Sequence, residues 1–172
     1  QNLYRLVNTD TIEHRNLERY YIATYIDQAK PYPFVNGTLY GWRCKFQKQG
    51  TICLQVWRTS GRYMEFSMVA EHKVTANEND LLEFELENPL PVQLGDLFAI
   101  QFIGQTCVGN CLSSTIDIVR FMRFTCDMQP QMHVPIYFEN WQRKIRFQYE
   151  PMFGKIHSQF NPSILNTKNA VT

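Results

Sequence analysis

The chain has 172 residues and a formal net charge of +1, with 44% hydrophobic and 19% charged residues. A chain of this length is usually one domain with a substantial core, and this composition is that of a globular protein rather than a disordered one. A charge so close to zero gives no long-range attraction to nucleic acid or to an anionic membrane surface. The sequence has no stretch of 18 apolar residues, so it predicts no membrane span.

The first predicted elements lie near the start of the chain. Asp10 and Glu13 have the spacing of a capping box, which favours one short helix. The stretch 19–26 is rich in tyrosine and isoleucine, which favour a strand. We interpret residues 42–57 as two strands joined in a hairpin, with Gly50 at positive φ in the turn.

Alternating strand patterns dominate the rest of the chain. Apolar residues inside and polar residues outside, with a period of two, are typical of a half-buried strand. Two segments have this pattern, with inner residues Leu82, Phe84 and Leu86 in one and Ile145, Phe147 and Tyr149 in the other. Glu83, Glu85 and Glu87 form the outer row of the first segment, where we expect a solvated stripe that blunts a sheet edge.

Further strands are predicted at 63–68, 97–102, 116–124 and 134–138, with a turn at residues 95–96. About eight or nine short strands at this spacing predict an all-β, antiparallel sandwich of jelly-roll type. We assign residues 1–160 to this single domain and residues 161–172 to a polar C-terminal tail.

Two segments, 37–58 and 89–102, carry packing and turn motifs. They consist of a Gly-Trp strand, a glycine turn, the strand Ile-x-Leu-Gln-Val-Trp-Arg and a Val-x-x-Gly-Asp turn. These motifs are formed by Gly41, Trp42, Gly50, Ile52, Leu54, Gln55, Val56, Trp57, Arg58, Val92, Gly95 and Asp96. In them the chain resembles extracellular β-sandwich modules of large mosaic secreted proteins of invertebrates. The resemblance implies a jelly-roll-like sandwich in an adhesive or matrix protein, and it implies no catalytic residues.

Five cysteines occur, and no two of them have the C-x-x-C spacing of a zinc ribbon or a redox motif. Cys107 and Cys111 flank a short loop with glycine and asparagine, so a disulfide is predicted there. Cys44 and Cys53 face each other, and can bridge, if the predicted hairpin turn holds four residues. If the apolar residues stay inside, Cys44 is a buried thiol or pairs elsewhere, with Cys126 as a candidate partner. The odd count leaves one thiol free or paired between chains.

Asn36 begins the N-glycosylation sequon Asn-Gly-Thr in a segment rich in turn residues. Together with the cysteines, the sequon favours a secreted glycoprotein with disulfides. Gln1 fits a mature terminus left after removal of a signal peptide.

No catalytic pattern is present. The four histidines, at positions 14, 72, 133 and 157, lack metal-ligand spacing, and there is no Gly-x-Ser-x-Gly motif. Asn77, Asn79 and Asp80 carry the oxygen donors that Ca²⁺ prefers, with a turn rich in Asn and Asp as the alternative. The sequence therefore predicts no enzyme and no required cofactor, with Ca²⁺ as the one candidate ion.

The prediction for function is a non-catalytic extracellular interaction module for adhesion, matrix or assembly, with a protein or glycan ligand. Self-association or an interchain disulfide would fit the odd cysteine. The alternative is a carbohydrate-binding module with Trp57, Tyr63 and Trp141 as ligand contacts and Ca²⁺ nearby. Strand alternation splits the charges of Arg143, Lys144 and Arg146 between two faces, which argues against a nucleic-acid surface.

Overall fold

The structure is a computed structural model that describes residues 22–28, 36–111 and 118–155. These ranges form twelve β-strands and contain no helix, which confirms the predicted all-β class. The strands are β1 (Ile22–Asp27), β2 (Gly37–Lys45), β3 (Gly50–Thr59), β4 (Glu65–Ala76), β5 (Leu81–Val92), β6 (Leu97–Ile103), β7 (Asn110–Cys111), β8 (Val119–Cys126), β9 (Ile136–Tyr137), β10 (Glu139–Arg143), β11 (Ile145–Arg146) and β12 (Tyr149–Lys155).

The strands form two larger antiparallel sheets and one small one. The seven-stranded sheet has the order β10-β8-β1-β6-β3-β4-β9, the three-stranded sheet has the order β12-β2-β5, and β11 pairs with β7. The two larger sheets share one apolar core, as expected of the predicted sandwich. Its largest fully buried side chains are Trp42, Phe46, Phe102, Phe121, Phe147 and Tyr149.

The first alternating segment is confirmed as one strand. Leu82, Phe84 and Leu86 of β5 pack against the core, and the glutamates between them are exposed. Among the described strands, β5 pairs only with β2, so the charged stripe lies on an edge strand. In the second segment the inner residues are buried, but β11 and β12 divide the segment between two sheets.

The predicted hairpin at residues 42–57 is wrong. β2 pairs with β5 and β12, whereas β3 pairs with β4 and β6, so the chain crosses from one sheet to the other at this turn. Gly50 does not have a positive φ. A Cβ atom at Gly50 would lie 2.8 Å from Cys107 Sγ, so close packing is what this glycine permits. Both strands face the same core, which explains why the sequence pattern looked like that of a hairpin.

The seven-stranded sheet curls until its two edges approach each other. Tyr137 of β9 pairs with Glu65 of β4, while Glu139 of β10 pairs with Arg123 of β8. Only Phe138 lies between the two pairings, so their Cα atoms are at most about 7.6 Å apart. One continuous stretch of chain therefore forms both edges of the sheet.

Phe138 lies in a second apolar cluster, on the concave face of the curled sheet. Its ring centroid is 5.0 Å from that of Trp57, 5.6 Å from that of Phe66 and 5.9 Å from that of Phe124. The seven-stranded sheet is thus covered on both faces, and residues 52–57 of β3 are all buried.

Two predictions fall outside the described residues: the short helix near Asp10 and the tail at 161–172. Within 22–28, 36–111 and 118–155, no helix has the length and apolar character that crossing a bilayer requires.

Candidate functional site

Trp57, which the sequence analysis predicts as a ligand contact, is buried in the fold. Its side chain is fully buried, and its Nε1–H donates a hydrogen bond to Gln55 Oε1 at 2.9 Å. The curl of the sheet places Phe138 against its ring. The prediction that Trp57 contacts a ligand is therefore corrected to a role in the second core.

Tyr63 lies in the turn before β4, and it is 80% exposed. The next residue, Met64, accepts a hydrogen bond through its carbonyl from Phe138 N at 2.8 Å. Tyr137 precedes Phe138 and is 63% exposed. The two tyrosines are far apart in the sequence, but the fold places them on either side of one backbone hydrogen bond. Both rings are open to solvent.

Trp141, the third predicted ligand aromatic, is half-buried on β10 and follows Tyr137 by about 13 Å along the chain. Its ring packs on Tyr25 and Phe121, at centroid distances of 5.0 and 5.5 Å. Arg123 and Arg143 lie over the same ring, with guanidinium carbons 5.0 and 5.1 Å from its centroid. Such distances are those of cation–π contacts.

Arg123 is held in place by a second partner. Its Nε and Nη2 donate hydrogen bonds to Glu139 Oε1 at 2.9 and 2.6 Å. Glu139 is the cross-strand neighbour of Arg123 in the β8–β10 ladder. The guanidinium is therefore oriented by both a carboxylate and an indole ring.

We call Tyr63, Arg123, Tyr137, Trp141 and Arg143 the aromatic surface. The sequence pointed to the first and fourth of these residues and missed the other three as ligand contacts. No local pattern identifies Tyr137, because its position beside Tyr63 depends on β9 pairing with β4.

The disulfide predictions are not met in the described part of the chain. Cys44, Cys53, Cys107 and Cys126 are free thiols. Cys44 and Cys53 lie on strands of different sheets, so the cross-strand geometry that a bridge would need does not exist. Cys107 is fully buried in the main core, where its Sγ packs against Gly50 instead of pairing with Cys111.

Burial also disfavours the thiolate form of Cys44, Cys53 and Cys107. Desolvation raises the pKa of Cys44 to about 12, and the nearby Cys107 adds to the effect. Desolvation raises the pKa of Cys53 and of Cys107 to about 11. A thiolate nucleophile needs the opposite shift. Cys126 is half-exposed, and its thiol donates to the Met128 carbonyl at 2.9 Å.

The predicted Ca²⁺ loop forms a β-turn in which Asp80 N donates a hydrogen bond to the Asn77 carbonyl at 3.2 Å. Asp80 Oδ2 accepts a hydrogen bond from Asn77 N at 2.8 Å, and Asn79 has a positive φ of 66°. Lys45 Nζ donates to the Asn79 carbonyl at 2.6 Å, so a cation already occupies this acceptor. These hydrogen bonds match the alternative of a turn rich in Asn and Asp rather than an arrangement of open oxygen donors.

Asn36, the predicted glycosylation site, is exposed just before β2. Its Oδ1 accepts a hydrogen bond from Leu94 N at 3.2 Å. The carboxamide nitrogen, to which a glycan would be attached, is not used in that contact.

His72 is directed into the main core, where its Nδ1 accepts a hydrogen bond from Trp42 Nε1 at 3.0 Å. His133 is exposed and has a positive φ of 64°, and its backbone N–H donates to the Met68 carbonyl at 2.9 Å. The other two histidines lie outside the described residues. Where the structure describes the chain, no three His, Cys, Asp or Glu residues are arranged to hold a metal ion.

The candidate site is thus a partly apolar surface flanked by arginines. Comparisons of this chain with protein-family models, with curated proteins and with solved structures gave no match.

Proposed function

We propose that the chain is a non-catalytic extracellular interaction module that binds a protein partner through the aromatic surface. The observations that carry the proposal are the two exposed tyrosines beside the β4–β9 ladder and, four residues after Tyr137, a half-buried tryptophan with two arginine side chains over its ring. Tyrosine, tryptophan and arginine are the residues that most often dominate the binding energy of protein interfaces. A partner that covers these rings gains apolar burial.

The surface is also rigid, which favours tight binding. Phe138 anchors the backbone between Tyr137 and Glu139 in the second core, and the ladders to β4 and β8 fix both sides of it. Groups that are already ordered lose little conformational entropy when a partner binds. The surface therefore meets a main physical requirement of a recognition site.

The chemistry of the described residues supports a non-catalytic role. A nucleophile needs an activated side chain next to a base. The three fully buried thiols have raised pKa values instead, and His72 is engaged with Trp42 in the core.

An extracellular setting is supported by the exposed sequon at Asn36. Secretion from eukaryotic cells should add an N-glycan there. Thr38→Ala should remove that added mass while leaving the Asn36 side chain and its contact with Leu94 in place.

The proposal is tested by saturation binding of the purified, fluorescently labelled protein to cell-free extracellular matrix. The double variant Tyr63→Ser/Tyr137→Ser should bind at least ten-fold more weakly than the natural sequence. The matched control is Leu81→Ser/Leu94→Ser, which removes two side chains that are 61% and 67% exposed on other parts of the molecule. Equal losses in both double variants, or no loss in the first, would contradict the proposal.

A carbohydrate-binding module is the second candidate, because exposed tyrosine rings also stack on sugar faces. A glycan array probed with the natural protein and with the tyrosine double variant separates the two. Binding to defined glycans that the double variant loses would favour the lectin-like function. If that binding also disappeared with a chelator, it would require a cation site other than the turn at Asn77.

A further inference from the structure

A concave site with a different set of residues from the aromatic surface lies beside the β3–β4 ladder. It is a pocket between the end of β5 and the part of β3 and β4 where the ladder contains a bulge. Its lining residues are Val56, Arg58, Val69, Ala70, Leu90, Pro91, Val92, Gln93 and His133. Six of these nine residues are apolar. The three polar ones, Arg58, Gln93 and His133, have side chains that can form hydrogen bonds.

The arginine of this pocket is fixed by a buried carboxylate. Arg58 Nε and Nη2 donate to the two oxygens of Asp96 at 2.8 and 2.9 Å. The Asp96 side chain is 1% exposed, and its Oδ2 also accepts a hydrogen bond from Gln93 N at 2.8 Å. This hydrogen-bonded pair raises the pKa of Arg58, so the guanidinium is charged at every accessible pH.

The pair leaves part of the guanidinium fork available. A guanidinium has five N–H groups, and the Asp96 side of the fork uses two of them. The other three belong to the end formed by Nη1 and Nη2, and the Arg58 side chain is 34% exposed. That end has the geometry to bind a second carboxylate with two parallel hydrogen bonds.

The volume and the apolar lining of the pocket determine which size and polarity of ligand would fit it. The pocket has a volume of about 240 Å³, which corresponds to about eight water molecules at their share of the liquid volume. Val56, Val69, Leu90 and Val92 offer apolar contact but no hydrogen-bond partner for a polar chain. A ligand of about eight non-hydrogen atoms fits this volume if one end is polar, to meet Arg58, and the rest is apolar, to meet the valines and the leucine.

We propose that this pocket binds a small carboxylate with a short apolar chain. The carboxylate accepts hydrogen bonds from the open end of the Arg58 guanidinium, and the chain packs on the valine and leucine walls. Because Asp96 balances the charge of Arg58, directed hydrogen bonds rather than net charge select the carboxylate. A neutral alcohol of the same length can accept fewer of these bonds, and an alkylammonium group has no lone pair with which to accept any of them.

The experiment uses hexanoate as the probe, with hexan-1-ol and hexylamine as matched controls, followed by amide NMR shifts of the whole chain. Hexanoate should give saturable shifts at Ala70, Val92 and Gln93, with a dissociation constant at least ten-fold lower than that of either control. Val69→Phe, which fills the pocket without touching the ion pair, should weaken hexanoate binding at least ten-fold. Leu94→Ser, outside the pocket, should leave it unchanged.

Arg58→Lys tests the carboxylate contact separately, because it keeps the charge but removes the fork. It should weaken hexanoate at least five-fold and leave the affinity for hexan-1-ol within two-fold. Absence of saturable hexanoate shifts would overturn the proposal, as would equal affinity for hexanoate and hexan-1-ol. Loss of matrix binding through the aromatic surface would not affect this result, since the two sites share no residue.

Discussion

The rings of Trp57 and Phe138 meet edge to face, with centroids 5.0 Å apart and ring planes at 79°. Through this contact an inner strand of the seven-stranded sheet holds the segment that forms both of its edges. The same segment carries Tyr137, which is exposed, and Trp141, which packs at the margin of the main core. One piece of chain therefore connects the second core with the aromatic surface.

The first prediction concerns Phe138, which fills the space between β3, β4 and β8. Phe138→Ala should lower the free energy of unfolding by about 3 to 5 kcal/mol, because it leaves a cavity among rings that cannot close over it. Urea denaturation followed by tryptophan fluorescence measures this change. Tyr137→Ala, one residue earlier and exposed, should change it by no more than about 0.5 kcal/mol. Similar values for both variants would show that the edges of the sheet do not meet at Phe138.

The second prediction concerns the ion pair of Arg58 and Asp96. Arg58→Met keeps the aliphatic length but leaves a buried carboxylate without its cation. We expect a loss of about 2 to 4 kcal/mol, less than for a fully buried pair because Arg58 is partly exposed. Lys48→Met is the control, since Lys48 and Glu78 are exposed and 3.6 Å apart, and it should cost less than about 0.5 kcal/mol. A loss no larger than that of the control would contradict the pairing.

The third prediction concerns the pH dependence that His72 introduces. Burial lowers the pKa of His72 from its ordinary value of 6.5, and Glu71 opposes this only in part. The unfolded chain therefore binds the proton more readily than the folded chain does. Its contribution to stability should be complete above about pH 6.5 and should decrease as the pH falls below that value.

His72→Gln tests this, because a glutamine oxygen can still accept the Trp42 N–H. The urea midpoint of the natural sequence should fall more between pH 7.5 and pH 5.5 than that of the variant. His133→Asn, at an exposed position where asparagine tolerates positive φ, should keep the full fall. A variant at position 72 that loses as much stability as the natural sequence would exclude His72 as the cause.

The fourth prediction concerns thiol reactivity. At pH 8 a thiol with a pKa of about 11 or 12 is almost entirely protonated, and Cys44, Cys53 and Cys107 are also shielded. Brief iodoacetamide treatment followed by peptide mass mapping should therefore modify Cys126 before Cys44, Cys53 and Cys107. The three buried cysteines should react only after unfolding in urea. Labelling of Cys44 or Cys107 at the rate of Cys126 in the folded protein would be inconsistent with this core.

Local alternation was enough to predict the sandwich and its main core. The inner row at Leu82, Phe84 and Leu86 follows from side-chain periodicity, which depends only on neighbouring residues. The pairing of β2 and β3 did not follow, because a strand that stays in one sheet and one that crosses to the other can carry the same apolar pattern.

The aromatic surface was only partly predictable. Composition favoured Tyr63 and Trp141 as exposed contacts, yet it favoured Trp57 for the same reason, and only the curl of the sheet distinguishes them. Only the β4–β9 and β8–β10 pairings show that Tyr137 and Arg123 belong to the aromatic surface. Such long-range pairings leave no signature in the neighbouring sequence.

Hydroxyl-radical footprinting of the matrix-bound and the free protein measures most directly whether the aromatic surface is the contact site. Oxidation of Tyr63, Tyr137 and Trp141 should fall at least three-fold in the bound state. Tyr40, which is 42% exposed on the other sheet, should be oxidised equally in both states. Unchanged oxidation of Tyr63 and Tyr137 in bound protein, or protection of Tyr40 to the same degree, would contradict the account.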